Sequence, residues 1–270
     1  MIQIEFDSKQ LNQIINKIKI SRKKENFGSP IEGINFTAKD GYLTIQATNG
    51  HQISQYRMPI SCQDFSATIH PNISAIATKF KTCTLIFDDH LTIEADKTHT
   101  FKLMEGEYPE ILREWKPRFT ATTILDRKWL LNQCEIAVAY SGTDAIRLIS
   151  ENNRFRIAGE FDDGAFYADM HAPTYQYGDF YIDAEYLAKV LRAIKGKQVS
   201  LSFFTKLQTG TPFLTVWGDE VIHHIAAMQL KEKIEWVEAK PKPSPQPQPQ
   251  TKPISSQAIL IRRKKQILCA

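Results

Sequence analysis

Apolar residues recur along this chain in two alternating patterns. Short runs with every second residue apolar, typical of strands with one buried face, alternate with stretches whose apolar residues lie three or four apart, typical of amphipathic helices. Four times a β-type run ends in a capping residue and passes into such a helix. The predicted helices span residues 8–24, 71–81, 127–140 and 184–197. This fourfold repeat constrains the architecture before any single residue is interpreted.

A capping residue marks the start of each predicted helix. Asp7, Asp126 and Asp183 suit N-caps because a carboxylate accepts the free backbone N–H groups of the first turn, and His70-Pro71 opens the second helix because Pro is favoured just after a cap. The apolar stripes are Leu11, Ile14, Ile15 and Ile18; Ile73, Ile76, Ala77 and Phe80; Leu130, Leu131, Cys134 and Val138; and Leu187, Val190, Leu191 and Ile194. Each stripe falls on one helical face.

Between the helices, β-type runs separated by turn residues predict antiparallel hairpins. The turn signals are Asp40-Gly41, Asp88–His90, Asn152-Asn153 and Gly218-Asp219. Each quarter of the chain therefore reads as a strand, a helix and further strands. The predicted fold class is α+β, with helices on one face of antiparallel sheets.

Two quarters make one domain, which predicts domains at residues 1–116 and 117–230, with a boundary near Trp115–Pro117. The composition changes after Leu230. Residues 239–253 alternate Pro with Lys, Gln and Ser, a composition that cannot bury a core. We therefore expect residues 231–270 to form a flexible tail with a short apolar and basic end.

Composition excludes several classes of protein. No stretch has the apolar length of a membrane span, and Met1–Phe6 reads as a strand, not as a signal peptide. The cysteines, which are Cys62, Cys83, Cys134 and Cys269, lack C-x-x-C spacing and fit reduced thiols in a cytosolic protein. We find no nucleophile–base pattern, phosphate-binding glycine loop or metal-ligand spacing. The sequence predicts a non-enzyme with no cofactor, no metal and no catalytic residue.

Basic residues are concentrated in the predicted helices, and acidic residues predominate in the rest of residues 1–230. Residues 1–230 hold 25 Lys and Arg against 27 Asp and Glu, yet the four predicted helical segments hold 14 basic residues and 2 acidic ones. Lys and Arg are good helix formers, but Glu is an equally good one and is nearly absent from these segments. Solvated helices usually mix both signs. The pattern favours helical surfaces that face a polyanion.

Four segments resemble the β sliding clamp of bacterial DNA polymerase III. Ala47–Ile53 (ATNGHQI) is similar to the family's Ala-Thr-Asp-Gly-His-Arg-Leu, and Leu103–Glu110 (LMEGEYPE) to its Asp-Gly-x-Phe-Pro-Asp/Glu. Phe180–Leu187 (FYIDAEYL) resembles its Phe-Asn-x-x-Tyr-Leu, and Ile225–Leu230 (IAAMQL) stands where the family ends in Met-Pro-Met-Arg-Leu. The segments occur in the family's order over residues 1–230 and match its middle and C-terminal domains.

The chain departs from the family's pattern in three respects. It lacks a counterpart of the first of the family's three domains. Gln52 and Gln229 stand where arginines are usual, which could weaken partner binding or change its specificity. A tail of 40 residues follows the position where the family ends.

The resemblance implies a DNA-clamp fold and a ring of six similar domains around a central hole lined by helices. With two domains in each chain, ring closure would take three copies, so we expect a homotrimer. Such a ring would hold double-stranded DNA without reading its sequence and would serve as a processivity factor in the cytoplasm, at the nucleoid. The DNA-facing residues expected from the helical charge are Lys17, Lys19, Arg22, Lys23, Lys24, Lys79, Lys81, Lys189, Arg192, Lys195 and Lys197.

The resemblance also implies a pocket between the two domains that binds short peptides of a DNA polymerase and a clamp loader. Such a peptide would place Leu and an aromatic or aliphatic residue into an apolar cleft. The corresponding positions are Ile31, Thr48, Asn49, Gly50, His51, Gln52, Ile53, Pro109, Arg113, Asp183, Tyr186, Met228 and Leu230. Structural roles stay open for several of these, because Gly50 suits a turn, Pro109 a strand end and Asp183 an N-cap.

The tail contains a segment similar to the peptides by which partners dock on clamps. In Gln257–Ile261, the residues Gln257, Leu260 and Ile261 match a Gln-x-x-Leu-Phe pattern. One hypothesis is that the tail occupies its own or a neighbour's pocket and controls access to it. The alternative is a disordered basic end that touches DNA.

Two functional hypotheses remain after the sequence is read. The first is a shortened sliding clamp. The second is a clamp-like interaction module that does not encircle DNA and instead competes for clamp partners or joins a full clamp as a hetero-oligomer. Basic residues on all four predicted helices favour the first, since a peptide-binding module has no need of them. An enzyme with an unfamiliar site is disfavoured because no catalytic constellation is found.

Overall fold

The structure is a computed structural model that describes residues 1–24, 28–73, 81–95, 97–109, 121–140, 145–161, 164–175, 177–204, 212–228 and 259–262. The described residues form three α-helices, which are α1 (Ser8–Ile18), α2 (Arg127–Tyr140) and α3 (Ala184–Ala193). Short 3-10 turns span Lys19–Ser21, Pro30–Glu32 and Pro71–Ile73. The strands are β1 (Ile2–Asp7), β2 (Ile34–Lys39), β3 (Tyr42–Thr48), β4 (Gln52–Pro59), β5 (Phe65–Ile69), β6 (Thr82–Phe87), β7 (His90–Glu94), β8 (Thr98–Lys102), β9 (Ala121–Asp126), β10 (Ala145–Glu151), β11 (Arg154–Phe161), β12 (Gly164–His171), β13 (Gly178–Asp183), β14 (Gln198–Phe204), β15 (Phe213–Trp217), β16 (Ile222–Ala226) and β17 (Ile259–Arg262).

These strands form three antiparallel sheets. One sheet has the order β1-β6-β7-β8, and a second has the order β13-β10-β11-β12-β17. The third has eight strands in the order β5-β2-β3-β4-β16-β15-β14-β9, so it takes four strands from each half of the chain. The predicted α+β class is confirmed, with strands predominating over helices.

The fourfold repeat predicted from the sequence is visible in the order of the elements. Strand, helix and three further strands recur as β1-α1-β2-β3-β4, as β9-α2-β10-β11-β12 and as β13-α3-β14-β15-β16. The second unit has its strands β5, β6, β7 and β8, and begins its predicted helix with the 3-10 turn at Pro71–Ile73. The rest of that predicted helix, residues 74–80, lies outside the described residues.

The helix stripes build two hydrophobic cores. All four stripe residues of α1 are fully buried, in a core made by residues from Ile4 to Ile93 together with Val221. A second core gathers residues from Leu125 to Ile225, including the stripes of α2 and α3. The predicted domain boundary near Trp115–Pro117 lies outside the described residues.

Local turn and cap chemistry agrees with the sequence. Asp40 and Gly41 have φ of 52° and 76°, and Asn152 and Asn153 have φ of 49° and 57°. Positive φ at both central residues matches the right-handed twist of the flanking strands, which is why Asn, Asp and Gly occupy these turns. Asp126 caps α2 by accepting a 2.7 Å hydrogen bond from the Trp129 backbone N–H.

Two helices are shorter than predicted. The first ends at Ile18 and continues as the Lys19–Ser21 turn, after which Arg22 is extended. The fourth ends at Ala193 instead of residue 197. Arg127 contributes to this end, because its guanidinium donates to the carbonyl oxygens of Leu191 and Gly196 at 2.9 and 2.7 Å. A side chain 64 residues away in the sequence thus satisfies carbonyls at the end of α3.

The tail differs from its prediction at one place. Residues 259–262, expected to be part of a flexible tail, form β17 and pair with β12. The run Ile-Leu-Ile has high β propensity, and β12 would otherwise leave its backbone groups unpaired at a sheet edge.

The two halves of the chain meet at a seam where β4 pairs with β16. Its register runs from Ile222 opposite Gln55 to Ile225 opposite Gln52. The seam is continuous backbone pairing, so the halves are joined by more than the covalent chain. No helix among the described residues is long and apolar enough to cross a membrane.

Candidate functional site

The turn between β3 and β4 is held by its own side chains. The Thr48 hydroxyl donates to the Gln52 carbonyl at 2.9 Å and accepts from the Gly50 N–H at 3.0 Å. The Asn49 amide oxygen accepts from the N–H groups of His51 and Gln52 at 3.0 and 2.8 Å. Gly50 has φ +91°, a conformation in which other residues are strained. These contacts fix the turn and leave His51 exposed.

The second half of the chain contacts this turn through both backbone and side chains. The His51 carbonyl accepts a 2.8 Å hydrogen bond from Ala226, at the end of β16. Asp183 caps α3 by accepting from Glu185 and Tyr186 N–H groups at 2.8 and 3.1 Å, which places Tyr186 in the first turn. The His51 and Tyr186 rings stack with centroids 6.3 Å apart. The turn and the start of α3 therefore form one surface.

A cavity of about 620 Å³ opens on this surface. It lies between the 3-10 turn after α1, the β3–β4 turn and α3. Its lining consists of Lys19, Ile20, Arg22, Lys23, Lys24, Asn49, His51, Tyr186 and Lys189. We call it the basic cleft. Five of these nine residues are Lys or Arg, so the cleft suits an anionic or mixed polar and aromatic ligand.

The basic cleft combines residues of two sites that were predicted separately from the sequence. Asn49, His51 and Tyr186 come from the predicted peptide pocket, whereas five cations come from the predicted DNA-facing group. The Lys189 ammonium lies 5.4 Å from the centre of the Tyr186 ring and 2.9 Å from Glu185. A ligand that enters the cleft would therefore meet aromatic faces and positive charge together.

Other predicted pocket residues support the turn from behind. Thr48, Gln52 and Ile53 are buried, and the Gln52 side chain, 1% exposed, has no hydrogen-bond partner among the described residues. A partner peptide cannot reach Gln52 in this arrangement. Gln52 was predicted as a contact residue, and the structure instead places it in the buried support of the turn. Ile31 is half-buried in the Pro30–Glu32 turn, where its carbonyl accepts from Lys23 N–H at 3.3 Å.

The remaining pocket positions lie at the margins. Met228 is 37% exposed and its N–H donates to the Tyr181 carbonyl at 2.7 Å, beside α3. Pro109 is exposed. Next to it, burial raises the pKa of the Tyr108 phenol, whose oxygen lies near the Thr48 backbone without hydrogen-bond geometry. Arg113 and Leu230 lie outside the described residues.

Lys17 is wrongly predicted as a DNA-facing residue. It is 7% exposed, and its ammonium lies 2.9 Å from Asp219 and 3.3 Å from Glu220. These carboxylates belong to the β15–β16 turn, so Lys17 joins the two halves of the chain and is not available to a phosphate.

The other predicted DNA-facing residues keep some exposure. Lys24, Lys81, Arg192, Lys195 and Lys197 are exposed, and Lys19, Arg22, Lys23 and Lys189 are half-buried. Arg192 also donates to Glu135 of α2 at 3.0 Å. Lys79 lies outside the described residues.

The predicted docking motif of the tail does not lie in the basic cleft. Leu260 and Ile261 belong to β17, at the edge of its sheet opposite to β13, which leads into α3. The hypothesis that the tail fills its own pocket is therefore wrong for Leu260 and Ile261 in this structure, because backbone pairing holds them on β12. Gln257 lies outside the described residues.

Sequence reasoning missed a buried polar network beside the seam. Ser54 of β4 shares hydrogen bonds of 2.5 Å with the Ser21 hydroxyl and 2.6 Å with His223 Nδ1. On the other face of the sheet, His224 lies 2.9 Å from the Thr215 hydroxyl and 3.3 Å from the Gln55 amide nitrogen. The His223-His224 doublet in the sequence was the available signal, and its two side chains lie on opposite faces of the sheet because they are neighbours in a strand.

Burial determines the protonation of this pair. Loss of solvation lowers the pKa of His223 to about 4 and that of His224 to about 3, so both imidazoles are neutral at pH 7. Within the described ranges, no group of three or more His, Cys, Asp or Glu side chains could hold a metal ion.

Comparison with known proteins identifies the fold. No protein-family model and no curated protein matches the chain. The DNA polymerase III β subunit of Thermotoga maritima matches with a TM-score of 0.75 at 15% identity, over 85% of this chain and 66% of that chain. The sliding clamp of Pseudomonas aeruginosa matches with 0.74 at 16% identity, over 85% and 66%. The β chain of Streptococcus pneumoniae matches with 0.73 at 16% identity, over 85% and 65%.

These matches confirm the fold expected from the sequence resemblance, which is that of bacterial β sliding clamps. The chain spans just under two thirds of the length of these structures. At 15% to 16% sequence identity, the similarity to these structures shows a shared fold and nothing more specific.

Proposed function

We propose that this chain is the subunit of a sliding clamp that encircles duplex DNA and tethers replication or repair proteins to it. The observation that carries the proposal is the convergence of five cations on the basic cleft of a clamp-fold chain, four from the segment that follows α1 and one from α3. Lys and Arg contacts to phosphates are independent of base sequence, and they release counterions instead of reading bases. Such contacts allow a closed ring to slide.

The proposed ring contains three copies. With the two domains that the sequence predicts in each chain, the ring of six similar domains implied by the resemblance would take three chains. The seam within the chain offers a pattern for joining copies, because strand pairing between β4 and β16 already extends one sheet across two cores. Head-to-tail contacts of this kind close only if the rotation per copy is correct.

The proposed partner site is the part of the basic cleft around His51 and Tyr186. The stacked rings and the exposed Met228 offer apolar surface, and Asn49 offers a polar group beside it. A short peptide with Leu and an aromatic residue fits this chemistry. We propose peptides of a DNA polymerase and a clamp loader as its ligands, and no chemical reaction is assigned to the site.

One experiment tests encirclement directly. Purified chain is incubated with nicked circular DNA or the same DNA linearised, and retention is measured by gel filtration in 0.5 M salt. A ring stays on the circle and slides off the ends, so we expect retention on circular DNA alone. Equal retention on both forms contradicts encirclement. Sedimentation equilibrium should give a mass of roughly 93 kDa, which is three times the chain mass of 30.9 kDa.

The alternative function is a clamp-like interaction module that does not encircle DNA. One observation favours it, which is that β17 covers the edge of β12 and so closes a sheet that could otherwise extend into another copy. A chain that binds clamp-type peptides yet stays monomeric at all concentrations and on circular DNA would support this alternative.

A further inference from the structure

Strand β17 closes an edge that the repeat architecture leaves open. Gly164, Ala165, Phe166 and Tyr167 of β12 face Arg262, Ile261, Leu260 and Ile259 in antiparallel register. Without β17, β12 would be the last strand of its sheet. An edge strand presents unpaired N–H and C=O groups and is a template for pairing with another chain.

The repeat makes β12 equivalent to a strand that joins the two halves. The last strands of the four units are β4, β8, β12 and β16. Within the chain, β4 of the first unit pairs with β16 of the fourth. By the same relationship, β8 of the second unit would pair with β12 of the third. Among the described residues, β8 ends its sheet, whereas β12 is covered by β17. Within one chain β8 and β12 end different sheets, so two copies are needed to pair them.

We propose that β17 is an intramolecular cover for β12 and competes with β8 of a second copy for the same backbone groups. The inference rests on the proposed ring, and it adds that the ring assembles only where β17 leaves its edge. In the free chain the tail protects β12 from pairing with unrelated strands.

The tether suits such a competitor. Thirty residues separate Met228 from Ile259 in the sequence, so β17 is tethered to the strand that it covers. A segment tethered in this way has an effective concentration in the millimolar range. The β17 pairing covers only four residues, so a larger surface from another copy can displace it. In dilute solution the tethered strand has the advantage, because its partner strand belongs to the same chain.

The first test removes the backbone pairing of β17. In a strand, successive N–H groups point to opposite sides, so the double substitution Leu260→Pro and Ile261→Pro removes whichever N–H faces β12. The matched control is Gln246→Pro with Gln248→Pro, which adds two prolines to the Pro-rich segment. Association of the full chain, the variant and the control is measured by sedimentation equilibrium.

We expect the L260P/I261P variant to associate with a dissociation constant at least tenfold lower than that of the full chain and the control. Equal association of all three proteins into the same oligomer overturns the inference and leaves the proposed ring intact. Monomers in all three at every concentration overturn both the inference and the ring.

The second test locks β17 in place. Ala165 and Ile261 are opposite each other, so A165C/I261C can form a disulfide across the strand pair. The background carries Cys62→Ser and Cys269→Ser, which leaves Cys83 and Cys134, both buried. We expect an intramolecular disulfide, a monomer when oxidised and association when reduced. Failure to form the disulfide, or equal association of oxidised and reduced protein, overturns the inference.

Discussion

The Lys17 ammonium lies 2.9 Å from a carboxylate oxygen of Asp219. This pair links α1, in the first half of the chain, to the β15–β16 turn, in the second half. Burial by itself would lower the pKa of Lys17, but hydrogen bonding and charge attraction from Asp219 and then Glu220 outweigh it and raise the pKa. A lysine pKa raised on folding stabilises the folded state at all pH values below the ordinary lysine range, and this contribution is lost only in strong base.

Replacing Lys17 should destabilise the chain and leave DNA binding intact. In Lys17→Met the Asp219 carboxylate, whose side chain is 18% exposed, loses its partner. We expect the free energy of unfolding to fall by about 2 kcal/mol, less than for a fully buried pair because both carboxylates are partly solvated. Urea denaturation measures this. Lys9→Met, at an exposed position of the same helix, is the control, and equal stability of the two variants would contradict the role of the pair.

The buried histidines should make stability depend on pH. Burial holds the pKa of His223 near 4 and that of His224 near 3, against 6.5 in an unfolded chain. Below pH 6.5 the unfolded chain therefore takes up protons that the folded chain excludes. The free energy of unfolding should fall by up to about 1.4 kcal/mol per pH unit for each histidine as the pH drops towards 4.

Urea denaturation at pH 7.5, 6.5, 5.5 and 4.5 measures this dependence. The double variant His223→Gln and His224→Gln should have lower stability at pH 7.5 and a flatter pH profile between 6.5 and 4.5. The same slope in the variant and the parent would assign the pH dependence to other groups.

The cations of the basic cleft should contribute to DNA binding through charge alone. For Arg22→Ala we expect weaker binding to duplex DNA of any sequence, with a slope of log K against log salt smaller by about 1. Fluorescence anisotropy from 50 to 300 mM salt gives the slope. Lys39→Ala, at the exposed end of β2, is the charge-matched control and should not change it. A slope unchanged in Arg22→Ala would remove that residue from the DNA surface.

Tyr186 should contribute to partner binding through its ring. For Tyr186→Ala we expect at least a tenfold loss of affinity for a Gln-Leu-x-Leu-Phe peptide, because the stacking surface against His51 is lost. Tyr186→Phe keeps the ring and should bind within about twofold of the parent. Calorimetry measures both. Tyr175, 73% exposed, provides the control Tyr175→Ala, and a similar loss there would show that the effect is not local to the cleft.

Gln52 should be replaceable by an apolar residue. Its buried side-chain amide has no hydrogen-bond partner among the described residues, and an unsatisfied buried amide costs about 1–3 kcal/mol. Gln52→Met should therefore raise the free energy of unfolding by about 1 kcal/mol. Gln55→Met, on the same strand, removes a group that contacts His224 and should lower it. Chemical denaturation compares the two, and destabilisation by both would contradict the argument.

The elements of the fold were predictable because their causes are local. Asp183 begins α3 and Asp40-Gly41 forms a hairpin turn through contacts within a few residues, and such chemistry can be read from the sequence. The ends of helices were less predictable. α3 ends where Arg127 donates to its last carbonyls, and that contact exists only in the folded chain.

Part of the arrangement around the candidate site could be expected from the sequence, and part could not. The resemblance located His51 and Tyr186, which the structure brings into ring contact. Lys17, however, looks like the neighbouring lysines in the sequence, and only its partners some 200 residues later distinguish it. Likewise, no local pattern indicates that residues 259–262 pair with β12.

The seam between β4 and β16 has a mechanical consequence for any assembly of this chain. Its backbone ladder, the Lys17 ion pair and the Ser54–His223 contact must all break before the two halves can pivot apart. Each chain should therefore move as one rigid unit. In the proposed ring, an opening for DNA would then form where separate chains meet, and the number of chains in the ring would follow from the angle that each one subtends.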